Sequence, residues 1–443
     1  MKIPEPPPQV TPEVVDSLMK KQQGAFFKPS AQLSAFIDEA NAKYLHWEDF
    51  KYLKIPGELK PEEAWVLLKM HRWGNRQNTR ISDNKGMPFH YSITPSLQSD
   101  LSQIDQSAAS AFGLDETYRF NRNMDDRFIF SSLMEEGIAS SVLEGAATTR
   151  PEAKRMLREN LKPADKSQKM ILNNYRTILK IRDEWKTQKL SPDVILQIHR
   201  SMTSETLENP EQEGAFRTKK DDEEKLAVYD NDGTLLHQPP SFDKIQSLLE
   251  AFCQFANEDA QNEKFIHPVV KASLLHFGLA YIHPFADGNG RTARAIFYWY
   301  LLSRNYWLFE YLSISRIILN QKTQYLRAFL YTEHDDNDLN YFIYQQLRAI
   351  LRAIADFKTY LGIKRREETA SKEMLLKNPE LNDRQRSILI YAQRNPGFIY
   401  TIKGHQNACN VVYQTARTDL LDLVKAGFME MHKTGKKIVF IAK

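Results

Sequence analysis

The chain has 443 residues, 42% of them apolar and 26% charged, ordinary proportions for a polypeptide able to bury a sizeable core. Sixty basic side chains against 56 acidic ones leave a net charge of +4, which excludes a strongly basic nucleic-acid coat and an acidic tail. Only 17 glycines disfavour collagen-like, linker-rich and turn-dense all-β architectures.

The length suggests about three domains as a prior. The two cysteines, Cys253 and Cys409, stand far apart, which argues against a disulfide framework and for a reducing compartment. No run approaches the ~18 apolar residues needed to cross a bilayer. The Pro-rich start lacks the apolar stretch of a secretory signal, so a cytoplasmic protein without a membrane partner is expected.

Residues 1–12, with five prolines, predict an extended lead-in. Pro61 opens an apolar-striped helix up to Trp73, and the run from Pro88 to Pro95 reads as a strand. Residues 1–100 read as an accessory segment that packs on the main domain. That domain spans 101–363, in which apolar spacings of three and four predict helices over 126–145, 165–187, 191–205, 241–257, 268–282, 292–304 and 338–362. Between them, 217–240 reads as a β-hairpin about Asp230-Asn-Asp-Gly233, closed by Pro239 and Pro240. A lone hairpin among helices serves no sheet, so its functional reading is a flap over a site. Residues 364–380 are a charged, helix-compatible connector. In 381–443 a helix over 383–393, a helix over 410–426 and two β-like runs about Thr434-Gly435 succeed one another. The fold class is mainly α.

Chemistry concentrates in Ile282-His-Pro-Phe-Ala-Asp-Gly-Asn-Gly-Arg-Thr-Ala-Arg294. Pro284 stops the preceding helix. Gly288, Asn289 and Gly290 can make a tight turn that aims backbone N–H groups at one point, and the helix opening at Arg291 adds its own unsatisfied amides. That is an anion site of the phosphate-binding kind. Arg291 and Arg294 share a helix face and can clamp further phosphates. Asp287 is out of place beside an anion unless a cation intervenes, and Mg²⁺ bridging the carboxylate to phosphate oxygens resolves this. His283 has a side chain suited to taking a hydroxyl proton.

This motif, His283-Pro-Phe-x-Asp-Gly-Asn-Gly-Arg-x-x-Arg294, resembles the signature of the Fic (filamentation-induced-by-cAMP) family without departure. Gly214-Ala-Phe-Arg217 with the hairpin, and His267-Pro268 with the helix leading into the motif, extend the likeness over about 130–350. The resemblance implies a helical domain with a β-hairpin flap, transferring AMP from ATP to a Ser, Thr or Tyr hydroxyl of a target protein docked on the flap near 217–240. His283 would be the base, Asp287 the Mg²⁺ ligand, Gly288, Asn289 and Gly290 the anion hole, and Arg291 and Arg294 the partners of the β- and γ-phosphates. Phe285 would anchor the loop. In the death-on-curing branch a Lys replaces the glycine found here as Gly288 and the reaction is phosphorylation, so Gly288 favours nucleotide transfer.

Ser140-Ser-Val-Leu-Glu144-Gly145 resembles the family's inhibitory helix. Ser140 and Glu144 lie one turn apart, and the resemblance pairs Glu144 with Arg294, so that ATP loses its γ-phosphate partner. The same glutamate supports AMP removal in some members. An adjacent aromatic pair that often holds the nucleobase is replaced by Tyr325-Leu326, which leaves UTP, GTP or another diphosphate donor open. Homodimers are common among similar proteins, which makes a homodimer one expected assembly. Residues 381–443, with ten Lys/Arg against four Asp/Glu, resemble a winged helix with Val411 to Val424 as recognition helix, whose partner is DNA or another protein. A regulator using the main domain as a nucleotide sensor is the alternative to an enzyme. His267, His276 and His283 fall on similar helical phases, but the further ligands of a metal site are missing, and His276 is expected in the core. Phe297, Tyr298, Trp299 and Tyr300 are expected in the core as well, and Cys253 is expected to be inert.

Overall fold

The computed structural model describes residues 2–21, 30–74, 76–113, 122–223, 227–229, 232–258, 265–377, 380–395, 397–434 and 437–443. The chain divides into two units, 1–354 and 355–443. In the first, α1 (Pro12–Lys21), α2 (Ala31–Ala42), α3 (Trp47–Phe50) and α4 (Pro61–Trp73) lead to the antiparallel pair β1 (Gln77–Ser82) and β2 (Pro88–Tyr91). The lead-in is therefore succeeded by a helix starting at Pro12. The strand expected from Pro88 exists, and its partner β1 lacks the periodicity that would have announced it.

Next come α5 (Pro95–Gly113), α6 (Arg122–Leu143), α7 (Arg150–Arg158), α8 (Lys166–Asp183), α9 (Pro192–Thr203), α10 (Lys219–Glu223), the hairpin strands β3 (Val228–Tyr229) and β4 (Leu235–His237), and α11 (Ile245–Asn257). The hairpin's turn residues Asp230 and Asn231 lie outside the described residues. Then come α12 (Pro268–Ile282), α13 (Asn289–Ser303), α14 (Ile314–Leu319), α15 (Lys322–His334) and α16 (Asn340–Lys377). The boundary expected after residue 100 falls inside α5, and the expected connector from 364 continues α16 as far as Lys377.

The centre of the first unit is the pair α12 and α13. Every α12 residue from Val269 to Leu279 is buried, and so is almost all of α13, including Phe297, Tyr298, Trp299 and Tyr300. A helix apolar on all sides must be enclosed on all sides. Closing α6 onto α8 requires Gly137, where an added Cβ would stand 3.0 Å from the Tyr175 backbone nitrogen.

The N-terminal elements are tied to the later helices of the same unit through buried polar contacts. Lys69 Nζ lies 2.6 Å from Asp335 Oδ1, and Asp335 Oδ2 accepts from Tyr341 Oη at 2.7 Å. Tyr44 Oη donates to Asp338 Oδ2 at 2.7 Å, and the Arg72 guanidinium lies 3.9 Å over the Tyr44 ring. No helix among the described residues is long and apolar enough to cross a membrane.

In the second unit, α17 (Asp383–Arg394), α18 (Ile402–Cys409) and α19 (Tyr413–Lys425) precede β5 (Met429–Thr434) and β6 (Lys437–Ala442), an antiparallel hairpin whose tip residues 435 and 436 are not described. Tyr400 exchanges both backbone hydrogen bonds with Phe440. Leu420, Leu423, Ala416 and Phe440 are buried at the centre. The helix expected over 410–426 is α19, and α18 has no counterpart among the expected elements. Asn410 between them is left-handed and separates the two. Asp419 is buried and accepts from Arg384 Nε at 2.7 Å and Asn382 Nδ2 at 2.8 Å, with His405 Nε2 at 3.0 Å.

Candidate active site

The C-terminus of α12 places His283. Pro284 cannot extend the helix, so His283 takes the left-handed cap conformation (φ +50) while its N–H still bonds to Leu279 O. The His283 Nδ1 lies 3.2 Å from Ala280 O, so it carries the proton, and Nε2 keeps a lone pair directed away from that carbonyl. Burial, together with the nearby His237, pushes the ring down to about 4, so it is neutral near neutrality.

The turn after Pro284 is stapled internally. Asn289 Oδ1 accepts from Phe285 N at 3.0 Å, and its Nδ2 donates to Phe285 O at 2.8 Å. The Asn289 side chain therefore shapes the loop, and only its backbone amide is left for a ligand. Phe285 is fully buried and lies flat on His199, ring centroids 3.7 Å apart, which is the anchoring expected for it. Gly288 caps α13 at φ +86 with no side-chain cap, so the first amides of a 15-residue helix remain open. An added Cβ at Gly288 would stand 2.8 Å from Thr203 Cγ2 and 3.1 Å from His199 Nε2.

His199 is a site residue that the sequence does not single out. Its Nδ1 accepts from Gly214 N at 3.0 Å and its Nε2 faces Asp287 O at 2.8 Å, which fixes the Nε2–H tautomer and joins the flap's entry to the turn. Burial pushes this ring down to about 4. Only a lone His on an amphipathic helix marks it in sequence, and many structural histidines look the same.

Asp287 keeps 59% of its side chain exposed and lies 3.8 Å from Arg291 Nη2. Arg291 itself is buried, with Nη1 donating to Met202 O at 3.2 Å. No group of three metal-ligating side chains occurs among the described residues. One solvated carboxylate beside an uncapped helix N-terminus nevertheless suits Mg²⁺, an ion commonly held by one or two carboxylates plus substrate phosphates. A cavity of about 330 Å³ opens beside Asp287, lined also by Lys166, Glu208 and Asp221.

The face of α6 that meets α13 carries polar residues every four positions. Glu136 accepts from Tyr298 Oη at 2.9 Å and Ser315 N at 2.9 Å, which fixes the helix at depth. Ser140 Oγ and O each accept from Arg294 at 3.0 Å. Glu144 Oε1 accepts from Arg294 Nη2 at 2.9 Å and lies so close over Gly290 that an added Cβ there would be 2.2 Å from it. Burial opposes the Glu144 charge, but Arg294, Arg291 and His283 outweigh it and hold the carboxyl below its ordinary range. The sequence-derived residues His283, Asp287, Gly288, Asn289, Gly290, Arg291, Arg294, Ser140 and Glu144 thus converge. Gly145 comes next at φ +93 in open space, ending the helix without touching the cluster.

Two other expectations meet different surroundings. Tyr325 is buried with its hydroxyl 2.9 Å from His276 Nε2, packed against Phe329 and Phe342, so it faces the core and not an open base pocket. His267 caps α12 by accepting from Val269 N and lies 2.9 Å from Asp105 Oδ2. Cys253 is buried and free, and burial pushes its thiol up to about 12.

Residues 189–301 match the Fic/DOC family. The chain is 32% identical over 111 residues to "Protein adenylyltransferase Fic" of Nematostella vectensis, covering 25% of this chain and 22% of that protein. It is 33% identical over 112 residues to the protein of the same name from Drosophila grimshawi, covering 25% and 20%. The matching segment thus spans about a fifth of those relatives' lengths. A Fic-1 structure from C. elegans superposes with a TM-score of 0.50 at 17% identity, covering 79% of this chain and 87% of that one, a likeness of fold.

Proposed function

We propose that this chain, which carries a Fic domain across residues 189–301, is a protein adenylyltransferase held in check by Glu144. The observation that supports this most is the meeting of a neutral imidazole with a free Nε2 and an uncapped helix N-terminus whose anion position is occupied by a carboxylate of the same chain.

In the proposed reaction a target Ser, Thr or Tyr hydroxyl lies at His283 Nε2. Its oxygen attacks the α-phosphorus of ATP, its proton passes to Nε2, and the bond from the α-phosphorus to the bridging oxygen breaks to release pyrophosphate. The Gly288 amide is taken up by Asp287 Oδ1, so the open amides of Asn289 to Arg291 would face the phosphate charge, and Arg291 and Arg294 would neutralise the β- and γ-phosphates. Asp287 would hold Mg²⁺, which supplies further neutralisation of phosphate charge. The flap would take up an extended target segment through backbone hydrogen bonds. Glu144, paired with Arg294, stands in for a phosphate oxygen and keeps the productive pose from forming. With an AMP-bearing side chain in place of ATP, water would attack its phosphorus, the bond to the side-chain oxygen would break and that oxygen would take up a proton from the water, releasing AMP.

The test is wild type, Glu144→Gly and His283→Ala incubated with Mg²⁺ and ATP labelled at the α- or the γ-phosphate. Label transferred to protein from α only, raised in Glu144→Gly and lost in His283→Ala, supports the reading. Label from γ, or none from any nucleotide, refutes it, and the second outcome leaves the nucleotide-sensing regulator in its place.

We read 381–443 as a winged helix, with α18 and α19 joined about the left-handed Asn410. Gln414, Arg417 and Thr418 are exposed on α19, whereas Asp419 is turned inward onto Arg384 and His405, and Asp422 in the last turn lies 3.5 Å from Lys425 Nζ. This favours duplex DNA over a protein partner. A gel shift that weakens steeply with salt tests it, and no shift at low salt refutes it.

A further inference from the structure

The flap strand β4 ends in a histidine that the proposed transfer does not use. His237 Nδ1 lies 2.8 Å from Glu333 Oε2 on α15, and its Nε2 lies 2.9 Å from Tyr281 O at the end of α12. A carboxylate and a carbonyl oxygen both accept, so satisfying both contacts requires a proton on each ring nitrogen, which makes the ring a cation. The His237 side chain is only 10% exposed, and its ring centroid is 6.5 Å from that of His283. Two neighbouring contacts tie the flap's entry to the same chain end: Arg217 N donates to Pro284 O, and Arg217 Nε donates to His283 O, both at 2.9 Å. Tyr281 O and His283 O are among the carbonyls that α12 leaves unsatisfied at its C-terminus, and Pro284 O lies in the turn just beyond it.

We propose that His237 is a positioning residue of the transfer site: as an imidazolium it clasps the flap strand to Tyr281 and Glu333, beside the base His283. The proposal rests on the transfer reading for its purpose, but its charge state and clasp are testable without it. The groups facing His237 are Glu333 from α15, Tyr281 and His283 from the end of α12, and Arg217 from the flap's entry, with Glu144 beyond His283. Burial opposes the His237 charge, but Glu333 and the Tyr281 carbonyl outweigh it, and the ring is raised above its ordinary 6.5. A raised histidine keeps its contribution below the unfolded value and loses it as pH rises through the folded one. The clasp is therefore complete while the ring is an imidazolium and loses one of its two N–H donors as pH rises through the raised midpoint. While closed it places a positive charge beside His283, which disfavours a second cation there and keeps the base neutral.

The experiment tracks the isotope-labelled imidazole rings of the full chain by NMR through a pH titration, with hydrogen exchange of 227–229 and 232–237 monitored in parallel. In wild type, His237 should carry both protons near neutrality with a midpoint above 6.5, and flap exchange should quicken as pH passes that midpoint beyond the intrinsic pH effect. Glu333→Gln keeps an acceptor and the side chain's size but removes the charge. It should lower the His237 midpoint and speed flap exchange about tenfold, the worth of one weakened charge-assisted hydrogen bond. His237→Gln should raise the His283 midpoint and speed flap exchange by a similar factor, with α8 and α13 unchanged. A His237 ring that is neutral near neutrality, or variants that leave both the His283 titration and flap exchange as in wild type, would overturn the proposal. Absence of nucleotide label on any protein refutes transfer but leaves these ring and exchange results to decide the clasp.

Discussion

Replacing Glu144 by Gly removes the carboxylate that accepts from Arg294 at 2.9 Å and lies directly over Gly290, and it leaves Ser140 holding the other edge of the guanidinium. A charge-assisted hydrogen bond of this kind contributes about 1.5–3 kcal/mol. The Glu144 side chain keeps 28% exposure, so solvent screening places the value toward the lower end of that range. At about 1.4 kcal/mol per factor of ten, that is about a ten- to thirtyfold gain in apparent ATP affinity, with at least as large a gain in α-label transfer. Glu144→Gln separates charge from bulk. It retains an acceptor for Arg294 but loses the ionic part, so its gain should fall between wild type and Glu144→Gly. Calorimetric titration with ATP and Mg²⁺ reads the affinity, label transfer reads the rate, and circular dichroism checks the fold. An intact Glu144→Gly variant whose affinity and transfer both stay within about twofold of wild type would refute the competitive role assigned to the carboxylate.

Gly288→Ala meets both a positive φ and a 2.8 Å approach to Thr203 Cγ2, so it should cost about 1–3 kcal/mol in thermal unfolding and weaken nucleotide binding. Adding Thr203→Ser should relieve the contact but not the dihedral, recovering only part of the loss. Lys69→Met leaves Asp335 buried without its cation, and urea unfolding should show a loss of about 3–5 kcal/mol, most of it regained in Lys69→Met/Asp335→Leu. His46, His199 and His276 are buried and pushed by burial down to about 3, 4 and 3. Because these folded values lie below the unfolded 6.5, the unfolded chain binds more protons as pH falls, and stability declines from pH 6.5 downward. Each ring contributes up to about 1.4 kcal/mol per pH unit over that range. A midpoint of denaturation independent of pH between about 6.5 and 4.5 would contradict these assignments.

How much the sequence discloses depends on how local the physics is. The stretch from His283 to Arg294 is legible because one helix end, one turn and one helix start lie side by side in the chain, and each obeys a short-range rule about Pro, Gly or an open N-terminus. The contact of Ser140 and Glu144 with Arg294 spans about 150 residues, and only the resemblance of a six-residue pattern announces it. Helices α12 and α13 are legible to within a few residues. α7 and α14, short and without a long apolar stripe, are not, and neither is α18, which carries Gly404 and Asn407 on its exposed side.

The site histidines show the deeper limit. His199, His237, His276 and His283 are one residue type within one domain, yet three are pushed toward the neutral form and one toward the cation. The difference lies in what the second ring nitrogen meets. For His199 it is a backbone N–H that can only donate, for His237 a carbonyl after a carboxylate has taken the first nitrogen, and for His283, among the described residues, no acceptor beyond the single Ala280 carbonyl. The partners of His199 and His237 come from other segments of the chain. Residue identity marks where a proton can move near neutrality, and the tertiary partner of each nitrogen decides which ring holds it and which ring is free to take it.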